Sequence, residues 1–435
     1  MDRVDVGLAG IGVLLLLLVL RVPIGVGLAV VAFFGVVVVT NSNVAFGLLG
    51  NVPYEFIGDW SLSAVPMFMF MGFLATEMKL TRSLFGAMRV LLAGLPGSLA
   101  VSSVAACALF AAASGSSVAT SASMSRIAVP EMLKLGYNPG LAAGSVAAAG
   151  TLGSLIPPSI LMVIFGIFAE VSIGKLFAAG IIPGILSAVM FSAMIMARAK
   201  LDPGLAPDMA ERPSAADRLW AMRQIWPLPV LVVGVLGGIY AGLFTPTEAG
   251  AAGAGLTILI ALLQRHFSLA ACWTAARQAV EGTASIFIIA VGAGLFARFM
   301  ALTGVPDFLA EQFLAFGDAP ILLILQIALL YLLLGCFIDS IGIMLLTLPI
   351  VLPLLHGADV DLIWFGVLVI KLLEIGLVTP PVGLNVFVMK SSLGNLVTLP
   401  QIFRGVAWFI LADLVTLGLL IAFPSLSTWL PSLMK

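Results

Sequence analysis

Charge is what this sequence has least of. Asp, Glu, Lys and Arg together make up 9% of its 435 residues, where a soluble domain carries about 25%. So small a supply argues against a large soluble α/β core. The net charge of −1 leaves no basic footprint for nucleic acid. Cysteine is nearly missing too: Cys107, Cys272 and Cys336 have no metal-ligand spacing and read as small buried packing residues. The two histidines, His266 and His356, fall at the ends of apolar runs, which argues against a histidine proton relay or metal site. No G-x-x-x-x-G-K-S/T run is present, so the chain has no P-loop with which to hydrolyse ATP. No nucleophile, base and orienting group stand at a recognisable spacing, which counts against an intramembrane enzyme.

What is present is apolar. Hydrophobic residues make up 61% of the chain and the mean hydropathy is +1.20. Long apolar runs recur from Val6 to Phe423, and nearly every one approaches the ~20 residues that cross a bilayer. The runs are continuous rather than alternating, which disfavours a membrane barrel. The reading is an all-α polytopic membrane protein, and its 45 glycines suit close helix packing and broken helices. The first segment lacks a small-residue cleavage motif and is followed by another span, so it is expected to be a retained helix. Residues 41–60, with Glu55 and Asp59, read as an amphipathic loop. Trp60, Trp364 and Trp408 read as interface anchors, and Trp220 and Trp226 as headgroup-level residues of the one long polar stretch.

The second half repeats the first at one constant offset. Pro23 falls on Pro246, Gly27 on Gly250, Ser117 on Ser340, Pro130 on Pro353 and Pro157-Pro158 on Pro380-Pro381. This divides the chain into a first repeat (1–197), a cytoplasmic linker (198–226) and a second repeat (227–435). Loop charge then orients each half, because basic residues favour the cytoplasmic side. Arg21, the group Lys79, Arg82 and Arg89, and the pair Arg126 and Lys134 are basic, while 41–60 has no Lys or Arg. In the second half Arg265 and Arg277 mark a basic loop. The stretch with Asp307, Glu311 and Asp318 and the stretch with Asp359 and Asp361 have no Lys or Arg. Equivalent loops therefore fall on opposite sides, an inverted-topology repeat. The count closes if 98–130 and 320–355 are re-entrant hairpins. Each repeat then has five crossings and one hairpin, and both termini lie outside, where Arg3 and Lys435 are lone bases.

Each half also carries a double proline inside an apolar run, at 139–168 and at 362–390. Proline removes a backbone donor and clashes with the preceding turn, so each run is expected to be two half-helices. Freed carbonyls at membrane depth are tolerated only where they line a protected cavity, and paired breaks in two halves point to an ion and substrate site. The hairpin tips, A-S-G-S-S at 113–117 and G-C-F-I-D-S-I at 335–341, should meet these breaks. The first half then offers Ser114, Ser116, Ser117, Thr120, Thr151 and Ser154; the second offers Asp339, Ser340, Thr379 and Asn385. Neutral oxygens with one carboxylate suit a weakly held monovalent cation, whereas Ca²⁺ usually takes more carboxylates. Half-helix N-termini near Ser159 and Gly383 would attract an anionic group. The alternative for the serines and glycines is close packing alone. Asp339 reads as a cation or substrate ligand, or else as a structural hydrogen-bonding residue. Glu248, Glu281, Glu374 and Asp413 read as structural. Arg298 is expected to snorkel to the outer interface, or to hold a substrate carboxylate.

Five motifs, in order along the chain, carry a resemblance. S-G-S-S-V-A-T-S-A at 114–122, P-E-M-L-K-L-G-Y at 130–137, G-S-L-I-P-P-S-I at 153–160, F-T-P-T-E-A-G at 244–250 and L-V-T-P-P-V-G-L-N at 377–385 resemble the large membrane (permease) subunit of tripartite ATP-independent periplasmic (TRAP) transporters, the DctM-like family. The resemblance covers essentially the whole chain. It implies sodium-coupled uptake of an organic acid, a dicarboxylate or another carboxylate or a sialic acid, across a bacterial inner membrane. It implies a periplasmic substrate-binding protein (DctP-like) and a small four-helix membrane subunit (DctQ-like) as a separate chain. The family is similar to elevator transporters, in which hairpins and broken helices move against a scaffold. On this sequence the implied sodium sites fall at Ser114, Gly115, Ser116 and Ser117 with Gly153 and Pro157, and at Gly335, Asp339 and Ser340 with Thr379 and Pro380. The implied substrate contacts are Ser117, Thr120, Ser154, Pro158, Ser159, Pro381, Gly383 and Asn385. A degenerate transporter-fold scaffold or receptor subunit without flux is the competing reading. The intact pairs of tips and breaks argue against it.

Overall fold

The computed structural model describes residues 2–80, 83–207, 213–315 and 320–434; Arg82, Asp318, Lys435 and linker residues 208–212 lie outside them. All regular elements among the described residues are helical. The first half runs α1 (Arg3–Val19), α2 (Ile24–Val39), α3 (Ser42–Ile57), α4 (Ala64–Glu77), α5 (Leu84–Leu91), α6 (Ser98–Ser114), α7 (Ser117–Lys134), α8 (Pro139–Leu155), α9 (Ile160–Phe168) and α10 (Ile173–Leu201). The short α11 (Ala215–Gln224) follows. The second half runs α12 (Pro227–Tyr240), α13 (Pro246–Leu263), α14 (Leu269–Thr303), α15 (Val305–Ala315), α16 (Pro320–Gly335), α17 (Ser340–Gly357), α18 (Leu362–Val378), α19 (Leu384–Leu393), α20 (Leu399–Ala422) and α21 (Ser425–Ser432). The shift that carries Ser117 onto Ser340 lays α7 and α8 residue for residue on α17 and α18.

Local chemistry sets these ends. Pro139, Pro227 and Pro246 open helices at a position where no N–H is needed. Capping boxes Ser214–Asp217 and Thr245–Glu248 start α11 and α13. Glu248 is thus a capping residue. Among the described residues five helices are individually long and apolar enough to cross a membrane, or up to eight spans if each bent pair counts once.

The stretch expected as a loop at 41–60 is mostly helix. Asn41 accepts a hydrogen bond from Val44 N at 3.0 Å and so starts α3. A 55° bend separates α3 from α4, and the pair takes the register of the unbroken α14.

Packing between the halves is reciprocal. α2 lies on α14 and α13 on α4; α8 lies on α20 and α18 on α10; α7 lies on α19 and α17 on α9. This exchange is what a two-fold relation between halves produces. Two bodies result: α1–α4 with α12–α14, and α6–α10 with α16–α20. Glycine makes the tightest crossings possible. A methyl on Gly144 of α8 would stand 2.6 Å from the Gly405 carbonyl carbon of α20. The symmetry fails where the bodies meet: α6 leans on α4, α5 and α12, but in the second half it is α17 that leans on α14, α15 and α2.

Some surface expectations change. Trp364 is only 9% exposed, and its Nε1 donates to Leu420 O at 2.9 Å, tying α18 to α20 rather than anchoring an interface. Trp60 is exposed, and Trp408 is half exposed beneath the Arg198 guanidinium. Cys107 is buried, while Cys272 and Cys336 are only partly so. Arg298 pairs with Glu55 of α3 at 2.8 Å in a partly exposed ion pair.

Candidate functional site

The first tip forms because Gly115 takes a left-handed turn (φ 60°) that ends α6, and Ser116 then caps α7. Its side chains turn inward. The Ser114 and Thr120 hydroxyls meet at 2.7 Å, and Thr120 Oγ1 also lies 2.8 Å from Ser116 O. Ser117 Oγ lies 2.6 Å from Ser154 Oγ and 2.9 Å from Thr151 O, both on α8 just before the break. Beyond the break, Ile160 N donates to Gly115 O at 3.3 Å. Gly153 lets the tip come this close, since a Cβ there would stand 2.6 Å from Ser116 O. Tip, helix end and half-helix start thus form one knot, with Pro157, Pro158 and Ser159 buried inside it.

The second tip is built differently. Gly335 ends α16 against Gly376 of α18, and a Cβ on Gly376 would stand 2.6 Å from Gly335 Cα. Gly376 is the repeat counterpart of Gly153. Asp339 caps α17, its Oδ2 accepting from Gly342 N at 2.9 Å. Ser340 Oγ is buried without a hydrogen-bond partner among the described residues. Thr379 is turned back, donating to Ile375 O at 2.6 Å. Pro380 and Pro381 are exposed, unlike their first-half counterparts. Both Pro-Pro bonds are cis. Gly383 (φ 59°) opens α19, and Asn385 behind it is wholly buried, its amide without a partner among the described residues.

One cavity of about 210 Å³ joins the two tips. Gly115, Ser116, Ser117 and Ser154 line it from the first half, Asp339 and Ser340 from the second, with Met69 and Ile286 of the other body closing a side. A wider cavity of about 480 Å³ shares Asp339 and runs to Arg21, Pro23 and Ser285. Ser114, Thr120 and Gly153 stand behind the cavity wall and shape the first tip. Pro157, Pro158, Ser159, Thr379, Pro380, Pro381, Gly383 and Asn385 frame the two breaks, Gly335 ends α16 at the second tip, and none of them is among its lining residues. Its polar lining residues are Ser116, Ser117, Ser154, Asp339 and Ser340 in an otherwise apolar wall, and a set with one carboxylate suits a monovalent cation better than a divalent one.

Sequence reasoning missed Met69 and Ile286, which carry no chemical signal. It also missed Lys371, a base in the middle of α18, whose one other charged residue is Glu374, at a depth where a charge is costly unless paired. Glu374 and Asp413, read as minor structural residues, share one buried cluster with it.

Comparison with known proteins adds the following. The model of the family described as "Tripartite ATP-independent periplasmic transporter, DctM component" matches residues 11–426. The C4-dicarboxylate TRAP transporter large permease protein DctM of Pseudomonas aeruginosa is 35% identical over 87% of this chain and 88% of its own length. The sialic acid TRAP transporter large permease protein SiaM of Vibrio cholerae is 30% identical over 96% of each. The ectoine/5-hydroxyectoine counterpart UehC of Ruegeria pomeroyi is 32% identical over 97% of each. Among solved structures, the YdaH transporter of Alcanivorax borkumensis has a similar fold, with a TM-score of 0.59 at 15% identity over 87% of each chain.

Proposed function

This chain belongs to the family of DctM components of tripartite ATP-independent periplasmic transporters, and from that premise we propose that it imports an organic acid anion together with sodium. It is a multi-pass membrane protein, the large permease subunit of an assembly that also has a small membrane subunit and a periplasmic binding protein. A small DctQ-like subunit completes the membrane assembly, and a DctP-like protein delivers the solute from the periplasm. Relatives are named for C4-dicarboxylate, sialic acid, isethionate and ectoine, so the solute class is a small organic acid or a near relative of one. The membrane is the inner one, with both termini outside.

The observation that carries this reading is a cavity of about 210 Å³ lined by residues of both hairpin tips. Sodium would bind the first half at Ser116, Ser117 and the peptide oxygens around Gly115. It would bind the second at Asp339 and Ser340, whose orphaned hydroxyl is a ready ligand. Cations there, and the N-terminal ends of α7 and α17, offset the negative charge of the solute. The two halves form an inverted repeat, and α6–α10 with α16–α20 move as an elevator against the other body. The uneven leaning of α6 and α17 is consistent with this, since displacing the mobile body to one side leaves the two halves in unlike contacts. The wide cavity between Asp339 and Arg21 opens on a basic, cytoplasmic edge, so this conformation faces inward.

The test is uptake into proteoliposomes holding this chain, the small subunit and the cognate binding protein, with and without an inward sodium gradient. Uptake should require both the gradient and the binding protein. Equal uptake driven by a proton gradient in sodium-free buffer would reject the coupling ion.

A further inference from the structure

Three ionisable side chains lie deep in the second body: Lys371 and Glu374 on α18 and Asp413 on α20, none with any exposed surface. Lys371 Nζ donates to Asp413 Oδ1 at 2.5 Å and to Ser187 Oγ of α10 at 3.0 Å. It stands 5.7 Å from the ring centre of Phe191. Ser187 and Asp413 hold corresponding places, equally far along α10 and α20 from the first residues Ile173 and Leu399. Lys371 therefore bridges the two halves where α10, α18 and α20 pack together.

Lys371 and Asp413 make a neutral pair, which leaves Glu374 over. Its nearest cation is the same Nζ, at 3.7 Å, and neither of its carboxylate oxygens has a hydrogen-bond partner among the described residues. The groups facing it are Lys371 on its own helix, Asp413 on α20 and the backbone of Leu155 on α8. Two acids thus face one base. A buried acid without its own counter-charge is strongly disfavoured as an anion and takes up a proton instead.

We propose that Glu374 is an occluded proton-binding site, its carboxyl carrying one proton at neutral pH beside the Lys371–Asp413 ion pair. The cluster is then electrically neutral. The site has a structural counterpart: in the repeat Glu374 falls on Thr151, the residue whose carbonyl receives Ser117 behind the cavity. The proton assignment rests on this packing alone; that the site travels with a moving body rests on the functional reading above.

Infrared spectroscopy of the full chain in lipid nanodiscs at neutral pH tests it. The wild type should show the carbonyl stretch of a buried protonated carboxylic acid. That band should shift when glutamate carboxyls are ¹³C-labelled, stay put when only aspartate is labelled, and vanish in Glu374→Gln. In Asp413→Asn the band should be lost, because Glu374 becomes the only partner for Lys371. In Lys371→Met it should grow, because both acids are then protonated. A wild-type spectrum without a glutamic acid band overturns the proposal even if no variant folds. So does a sodium-dependent melting temperature that disappears in Glu374→Gln without any such band, which would assign the site to a metal cation.

Discussion

Gly153→Ala is the sharpest single test of the first tip. The added methyl would stand 2.6 Å from Ser116 O, 2.7 Å from Ser116 C and 2.9 Å from Ser117 N, where ordinary contact begins at 3.4 Å. α8 is buried on every side from Leu141 to Leu155, so the tip must give way, by about 0.8 Å. A retreat of that size stretches Ser117–Ser154 from 2.6 Å to about 3.4 Å, and Ser117–Thr151 O from 2.9 Å to about 3.7 Å. Both then exceed the ~3.0 Å limit of a useful O–H···O bond. Overpacking of this kind costs about 1–3 kcal/mol, and sodium, which needs the tip in its native place, should bind more weakly by up to roughly five- to 150-fold. The assay is the initial rate of uptake against sodium concentration in proteoliposomes with both partner proteins present. Gly12→Ala, where a methyl meets nothing within 4 Å, is the control. A folded Gly153→Ala transporter with wild-type half-saturation for sodium would refute the placement of the cation at this tip.

Other outcomes follow from the same geometry. Asp339→Asn keeps a good helix cap and should keep its fold while the sodium requirement weakens; Asp339→Ala should lose, in addition, about 1 kcal/mol of stability with the cap. An unchanged sodium response in both would reject Asp339 as a ligand. Gly405→Ala would place a methyl 2.6 Å from the Gly140 carbonyl carbon and against its oxygen, so the yield of monodisperse protein should collapse; normal yield would show that α8 and α20 can separate cheaply. In the linker, hydrogen bonds from Ser214 hold the Asp217 carboxyl below the usual carboxylate range. A depressed acid stabilises above its unfolded value and loses that contribution as pH falls through its folded value. The protection factors of the amides at the start of α11, taken against the intrinsic exchange rate at each pH, should therefore fall on acidification below pH ~4. Ser214→Ala should exchange fast at neutral pH already, and equal protection in the two proteins would contradict the capping role.

Much of the site was legible because its ingredients act over a few residues. Proline removes a donor wherever it stands, so Pro157-Pro158 and Pro380-Pro381 announced breaks, and the helices end at Leu155 and Val378. Gly115 ends α6, Ser116 caps α7 and Asp339 caps α17 by chemistry that needs no tertiary partner. The stretch at 41–60 misled because its polar residues suggested a loop, while Asn41 is itself a helix cap.

Sequence alone thus determined where the chain breaks and turns, and through the internal repeat that it does so twice. Those are local events decided by backbone sterics and capping. Tertiary structure decided which residues meet. It set Gly115, Ser116, Ser117 and Ser154 opposite Asp339 and Ser340 in one cavity and turned Thr379 away. It buried the first double proline and exposed the second, and it brought Lys371 on α18 to Asp413 on α20. Such contacts arise from packing between helices remote in the chain, and a charge in an apolar helix does not reveal which distant partner will neutralise it.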